Sequence, residues 1–183
     1  MRIGAFVYDP GRGADVDVVL ASVAARLVRE GIRLGGAIQI NSADGNRCSC
    51  DMSLQDLSSG RTVLISENRG PLARGCRLDP RGLEEVVGLV EASIERGIDF
   101  LIINKFGKRE AEGKGFRAAI EAALARGAPV LVAVSEASLP AWQEFVSGLD
   151  ERLPFDEHSA IAWALGALAG SGSSDLDGAM LAG

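Results

Sequence analysis

The sequence predicts a three-layer α/β domain, with helices on both faces of a mostly parallel sheet. Three observations carry that expectation. Apolar runs rich in β-forming residues, at 2–8, 32–41, 99–104 and 129–134, alternate with segments whose apolar residues recur at helical spacing. Two of those runs, DFLIIN and PVLVAV, are apolar almost throughout, the pattern of strands covered on both faces. The composition is 47% hydrophobic but only 5% aromatic, so aliphatic side chains must fill the core, as suits helices laid on a parallel sheet.

Residues 2–8, RIGAFVY, read as a buried strand ended by Asp9, Pro10 and Gly11. Val19, Val23, Ala24 and Leu27 then share one face of a helix over 16–29, closed by Gly31. With the run at 32–41 the chain opens as strand, helix, strand, the start of a parallel sheet. CDMSLQDL at 50–57 and RTVLISEN at 61–68, joined by Ser58, Ser59 and Gly60, read as an inserted β-hairpin. Residues 69–79 have no periodicity and are expected to form a loop. Asp79 caps, and Pro80 opens, a helix that runs to Glu95 and buries Leu83, Val86, Val87, Val90 and Ile94. After the strand at 99–104, FGKREAEGKG at 106–115 is a charged loop punctuated by glycine, and it leads into a helix over 116–126. Beyond the strand at 129–134 come a helix at 138–148 with Trp142 and Phe145, and an amphipathic one at 156–168 with Trp163. Residues 1–168 thus form one domain, and the Gly/Ser-rich tail at 169–183 is expected to lack fixed structure.

A chain of 183 residues suffices for one well-packed domain. Its net charge of −6 supplies no global field for nucleic acid or an anionic membrane, so any anion site must be local. No run reaches the ~18–20 apolar residues of a membrane span. The N-terminus has too short an apolar stretch for a signal peptide. These features lead us to expect a cytoplasmic protein with no membrane insertion and no nucleic-acid partner.

The first strand runs into Pro10, Gly11, Arg12, Gly13, Ala14 and Asp15, and then a helix. That is the position and Gly-x-Gly spacing of a phosphate-binding loop, whose glycines let backbone N–H groups converge on an anion at a helix start. Such loops add a Lys for the β- and γ-phosphates and a hydroxyl for Mg²⁺. Here Ala14 and Asp15 hold those positions. Arg12 could restore the positive charge and Asp15 could ligate Mg²⁺; equally, Asp15 could simply cap the helix.

Further along stand CDM at 50–52, GCRLD at 75–79, NKFGKREAEGKGFR at 104–117 and GAPVLVAV at 127–134. On these motifs, over roughly residues 1–150, the chain resembles the bacterial family called domain of unknown function 2478 (DUF2478). Members of that family often carry the label of molybdenum-transport ATP-binding proteins. The order of elements also resembles nucleoside-triphosphatases of the THEP type, which implies a P-loop NTPase-type sheet with an inserted β-hairpin. The hairpin from Gln55 to Arg61 fits that pattern, and the strand from Phe100 to Asn104 falls on its Walker B segment. The resemblance implies an Asp that orders Mg²⁺ and a Glu that polarises water; Asn104 and Lys105 stand there instead. An amide brings no charge to Mg²⁺, and an ammonium is no base near neutral pH. Conventional hydrolysis of ATP or GTP is therefore not expected. Lys105 and Lys108 would emerge at the carboxyl edge of the sheet, where open α/β sheets bind ligands, and Lys105 could replace in space the charge missing at Ala14. The alternative is that both lysines pair with Glu110 and Glu112 on a solvated face.

Cys48, Cys50 and Cys76 form no even disulfide set. Three thiolates could hold Zn²⁺ or a soft metal, or Cys50 and Cys76 could form a buried pair of purely structural meaning. Arg69, Arg74 and Arg77 around Cys76 could lower its pKa or bind an anion, with Arg74 and Arg77 as a second anion cluster. His158 reads as a surface or capping residue.

The leading expectation is a disarmed P-loop-like accessory protein. It would bind a nucleotide, phosphate or a tetrahedral oxyanion such as molybdate through residues 10–15 with Asn104, Lys105, Lys108 and Glu110. The alternatives are an atypical NTPase, with Lys105 or Arg12 for the loop Lys and Asp15 or Glu110 handling Mg²⁺, and a metal or redox module at the cysteines. The expected partner is a small anion or nucleotide, and nothing in the sequence opposes a homo-oligomer.

Overall fold

The apolar runs become the central strands of a seven-stranded sheet. A computed structural model describes residues 2–41, 52–67 and 77–171. The strands are β1 (Ile3–Tyr8), β2 (Leu34–Asn41), β3 (Met52–Asp56), β4 (Thr62–Leu64), β5 (Ser66–Glu67), β6 (Arg77–Leu78), β7 (Phe100–Phe106), β8 (Val130–Ser135) and β9 (Asp150–Arg152). The helices are α1 (Gly13–Arg29), α2 (Pro80–Arg96), α3 (Lys108–Ala111), α4 (Arg117–Ala125), α5 (Leu139–Val146) and α6 (Glu157–Ser171). The order across the sheet is β4-β3-β2-β7-β8-β1-β9. From β2 to β9 all neighbours are parallel, and β3 and β4 add an antiparallel hairpin on the β2 edge.

Strand alternation sends side chains to two cores. Phe6, Ile102 and Leu131 meet Val16, Leu20 and Leu27 of α1 and Ala164 of α6. Ile103 and Val132 meet Val86 and Val90 of α2, Ile120 of α4 and Trp142 of α5. Helices thus cover both faces, the three-layer arrangement that the continuous apolar runs predict.

Several boundaries differ from the sequence expectation. Helix α1 begins at Gly13 rather than 16, because a 3₁₀ turn over Pro10–Arg12 runs straight into it. The segment expected to be a loop contains β6, which pairs with β5. The charged loop after β7 holds the four-residue helix α3, and β7 itself continues to Phe106. Strand β9, unforeseen, adds an edge to β1. Helix α6 extends to Ser171, past the expected boundary at 168. Residues 172–183, which make up most of the expected tail, lie outside the described residues, as do Cys48, Cys50, Arg69, Arg74 and Cys76. Among the described residues no helix is long and apolar enough to cross a membrane.

Candidate site where strand β7 meets the start of helix α1

Leu101 and Ile103 of β7 face the α2 core, while Phe100 and Ile102 face α1. Asn104 keeps this alternation and turns toward α1, where its Nδ2 donates to Asp17 Oδ1 at 2.7 Å. Both residues are buried, at 3% and 6% exposure. The next residue should face α2, but the register with β8 shifts between Asn104 and Phe106. Phe106 takes the α2-facing place, with its ring 5.0 Å from Trp142 and 5.7 Å from Phe145. Lys105 is left as the extra residue of a bulge, a device that re-aims a side chain.

The bulge delivers Lys105 to the start of α1. Its Nζ lies 4.0 Å from where a Cβ on Gly13 would stand. The N-terminus of a 17-residue helix carries unsatisfied N–H groups and the positive end of the dipole. A cation there faces like charge, and Lys105 forms no ion pair among the described residues. Two positive elements converging on one spot favour an anion between them.

The loop before α1 is tighter than a phosphate loop. Asp9 Oδ1 accepts from Gly11 N at 2.9 Å, and the Asp9 carbonyl accepts from Arg12 N at 2.8 Å. Neither Gly11 nor Gly13 adopts a positive φ, so no wide nest of N–H groups forms over residues 9–12. Pro10 opens the 3₁₀ turn, and Ala14 is exposed in the first turn of α1. Asp15 does not cap the helix: Arg12 stands at the cap position without a side-chain cap bond. Instead Asp15 Oδ2 accepts from Arg12 Nε at 3.0 Å, and the Arg12 guanidinium lies 4.3 Å over the Phe155 ring.

Glu110 is turned inward. Its Oε2 accepts from Gly107 N at 2.9 Å and its Oε1 from Phe116 N at 3.1 Å, which staples residues 107–116 together. Burial raises its carboxyl above the ordinary value despite those bonds. Lys108 is 88% exposed, with Glu112 at 3.9 Å, a surface contact of little energetic weight. Arg77 lies in β6, opposite Glu67. His158 is exposed near the start of α6. The structure thus brings Lys105, Asn104 and the loop residues to one edge, and commits Glu110 to the backbone.

Asp15, Asp17 and Glu110 are each engaged by a protein donor, and a Mg²⁺ ion would have to displace the Arg12 pair or the staple. This carboxylate set does not fit a Mg²⁺ site. Among the described residues no group of three His, Cys, Asp or Glu could hold a metal.

Sequence reasoning overlooked Asp17, Tyr8 and Ser135. Asp17 falls on the same stripe as Leu20, Ala24 and Leu27, an acid at a helical core spacing, and that signal was available. Ser135 pairs with Tyr8 at the ends of neighbouring strands, and β8 alternation points it, like Tyr8, toward α1. Burial, with the nearby Asp17 charge second, pushes the Tyr8 hydroxyl up to about 12 and keeps it a proton donor.

Residues 3–163 match the family described as "Protein of unknown function (DUF2478)". The chain belongs to the DUF2478 family. The protein named Molybdenum import ATP-binding protein ModC 2, from Bradyrhizobium diazoefficiens, is 39% identical to this DUF2478 chain over 162 residues. That match covers 88% of the chain but only 18% of the relative's length. The crystal structure of THEP1 from the hyperthermophile Aquifex aeolicus superposes with a TM-score of 0.57 at 15% identity, over 85% of this chain and 91% of that one. The DUF2478 chain therefore shares the THEP1 fold, the mostly parallel P-loop NTPase-type sheet expected from the order of its elements.

Proposed function

We propose that this chain binds a compact anion at the start of α1, either a tetrahedral oxyanion or a single phosphate group of a nucleotide, with little or no NTP hydrolysis. One observation carries the reading: the Lys105 ammonium stands 4.0 Å from the Cβ position of Gly13, at the positive end of a long helix. The tight turn at Pro10–Arg12 supports a small ligand, since two of its N–H groups already serve Asp9. A triphosphate needs a longer cradle.

Molybdate is the first oxyanion to test, because a relative that shares this region is named for molybdenum import. Phosphate and sulfate have the same tetrahedral shape and are the controls. Nothing at the site favours turnover, for Asp15 and Glu110 are both engaged and Lys105 occupies the place of a base.

The test is thermal unfolding with molybdate, phosphate, sulfate, ATP and GTP, paired with a phosphate-release assay. A ligand at one hundred times its Kd adds about 2.7 kcal/mol of stability, which raises the melting temperature of a domain this size by about 5–10 °C. Failure of every anion to shift the transition discards the reading, and sustained phosphate release from ATP discards its non-hydrolytic part.

A further inference from the structure

We infer that Asp17 and Asn104 are a positioning pair, whose hydrogen bond holds Lys105 where the anion is bound. The inference rests on the anion-site reading and adds two residues to it. Gly13 and Asp17 lie one turn apart on α1, about 6 Å along the axis at ~1.5 Å per residue. Lys105 and Asn104 are neighbours on β7. The approach of Lys105 to Gly13 and the bond of Asn104 to Asp17 are therefore successive rungs between the same two elements.

The lower rung fixes the upper one. Asn104 Oδ1 is buried without a hydrogen-bond partner, so the 2.7 Å bond to Asp17 orients the amide. The bulge begins immediately after Asn104, and ladder pairing with β8 resumes only at Phe106. Lys105 itself is outside the ladder, and its direction depends on the residues on either side. Phe106 is locked by aromatic packing on the α2 side. Asn104 is locked by Asp17 on the α1 side. A buried acid and amide between α1 and the sheet are costly to desolvate even with Tyr8 nearby, and two apolar side chains would pack there at lower cost. A positioning role accounts for their presence.

The experiment compares the wild-type chain with D17A, D17N, N104A, K105A and the exchange D17N/N104D. D17N keeps an oxygen for the Asn104 amide, and the exchange rebuilds the bond with donor and acceptor reversed. Two readouts are taken: the Kd for inorganic phosphate, sulfate and molybdate, and the acetylation rate of Lys105 relative to exposed Lys114 without any anion. We expect D17A and N104A to weaken anion binding at least tenfold and to bring Lys105 acetylation toward the Lys114 rate. D17N and the exchange should stay within a few-fold of wild type in both readouts. An intact Lys105 acetylation rate and unchanged Kd in D17A and N104A would overturn the positioning pair, while loss of binding in K105A alone would leave the anion site standing. If K105A binds as well as wild type, the anion-site reading falls instead, and the acetylation series still decides the pair. Should D17A fail to fold, D17N and the exchange carry the test, and weak binding in both with normal unfolding contradicts the inference.

Discussion

Lys105 owes its significance to the residues around it. As the extra residue of a bulge it approaches Gly13 with no acidic partner among the described residues, while Lys108, three positions on, is an exposed lysine beside Glu112. Lys105→Ala should weaken anion binding at least tenfold and leave the melting temperature of the free protein within about 1 °C, whereas Lys108→Ala should change neither by a measurable amount; calorimetric titration and a thermal scan check both. The sequence shows that Lys105 is out of place, since a charged residue interrupts the apolar run FLIINKF. It does not show where the side chain points, because a bulge depends on pairing with β8 and leaves no mark in periodicity. Asp17 was visible on the α1 stripe but is easily taken for a first-turn acid that favours the helix dipole. In the sequence Glu110 reads as a solvated partner of the lysines or as a residue handling Mg²⁺; only the fold brings Gly107 N and Phe116 N to its two oxygens.

Among the elements, β2 and β7 pair with Gly36 set against the backbone of Ile102. The Gly36 φ is +104°, and a Cβ there would stand 1.9 Å from the Ile102 carbonyl oxygen. Gly36→Ala should therefore destabilise the chain by about 2–3 kcal/mol, measured as a fall in the urea midpoint at unchanged slope. The staple over residues 107–116 makes a second prediction, this time in pH. Burial raises the folded-state pKa of Glu110 above its ordinary 4.5, so the fold holds that proton more tightly than the unfolded chain does. Its stabilising contribution is complete below the ordinary value and is lost as pH rises through the raised one. Glu110→Gln cannot ionise, so its stability curve should lack that decline, although it loses one of the two backbone bonds; urea unfolding at a series of pH values rising from the ordinary carboxyl range tests this. The long elements were legible because α2 and the central strands repeat their apolar pattern for many residues. β5, β6, α3 and β9 span two to four residues each, too few for any period, and they exist because neighbouring elements supply their partners.

At the scale of the molecule, helix α6 closes the face that α1 leaves open near β9. Trp163 is 8% exposed, lies 5.9 Å from the Phe100 ring and fills the space beside Gly4, where a Cβ would come within 2.9 Å of its ring. Trp163→Ala should cost about 3–5 kcal/mol, and one cooperative transition that falls as a whole would show that α6 belongs to the same folding unit as the edge where β7 meets α1. The distribution of charge fits a local site in an acidic chain: the net charge is −6, yet an ammonium and a helix N-terminus converge at one point of the sheet's carboxyl edge. The chain covers only 18% of the length of the relative named for molybdenum import, so what is proposed for this region is anion binding alone. Calorimetric titration of molybdate and orthophosphate into wild-type and Lys105→Ala protein tests that proposal most directly. The account predicts saturable binding of a tetrahedral oxyanion to the wild type, weakened at least tenfold by the substitution; equal binding to both proteins, or none to the wild type, would contradict it.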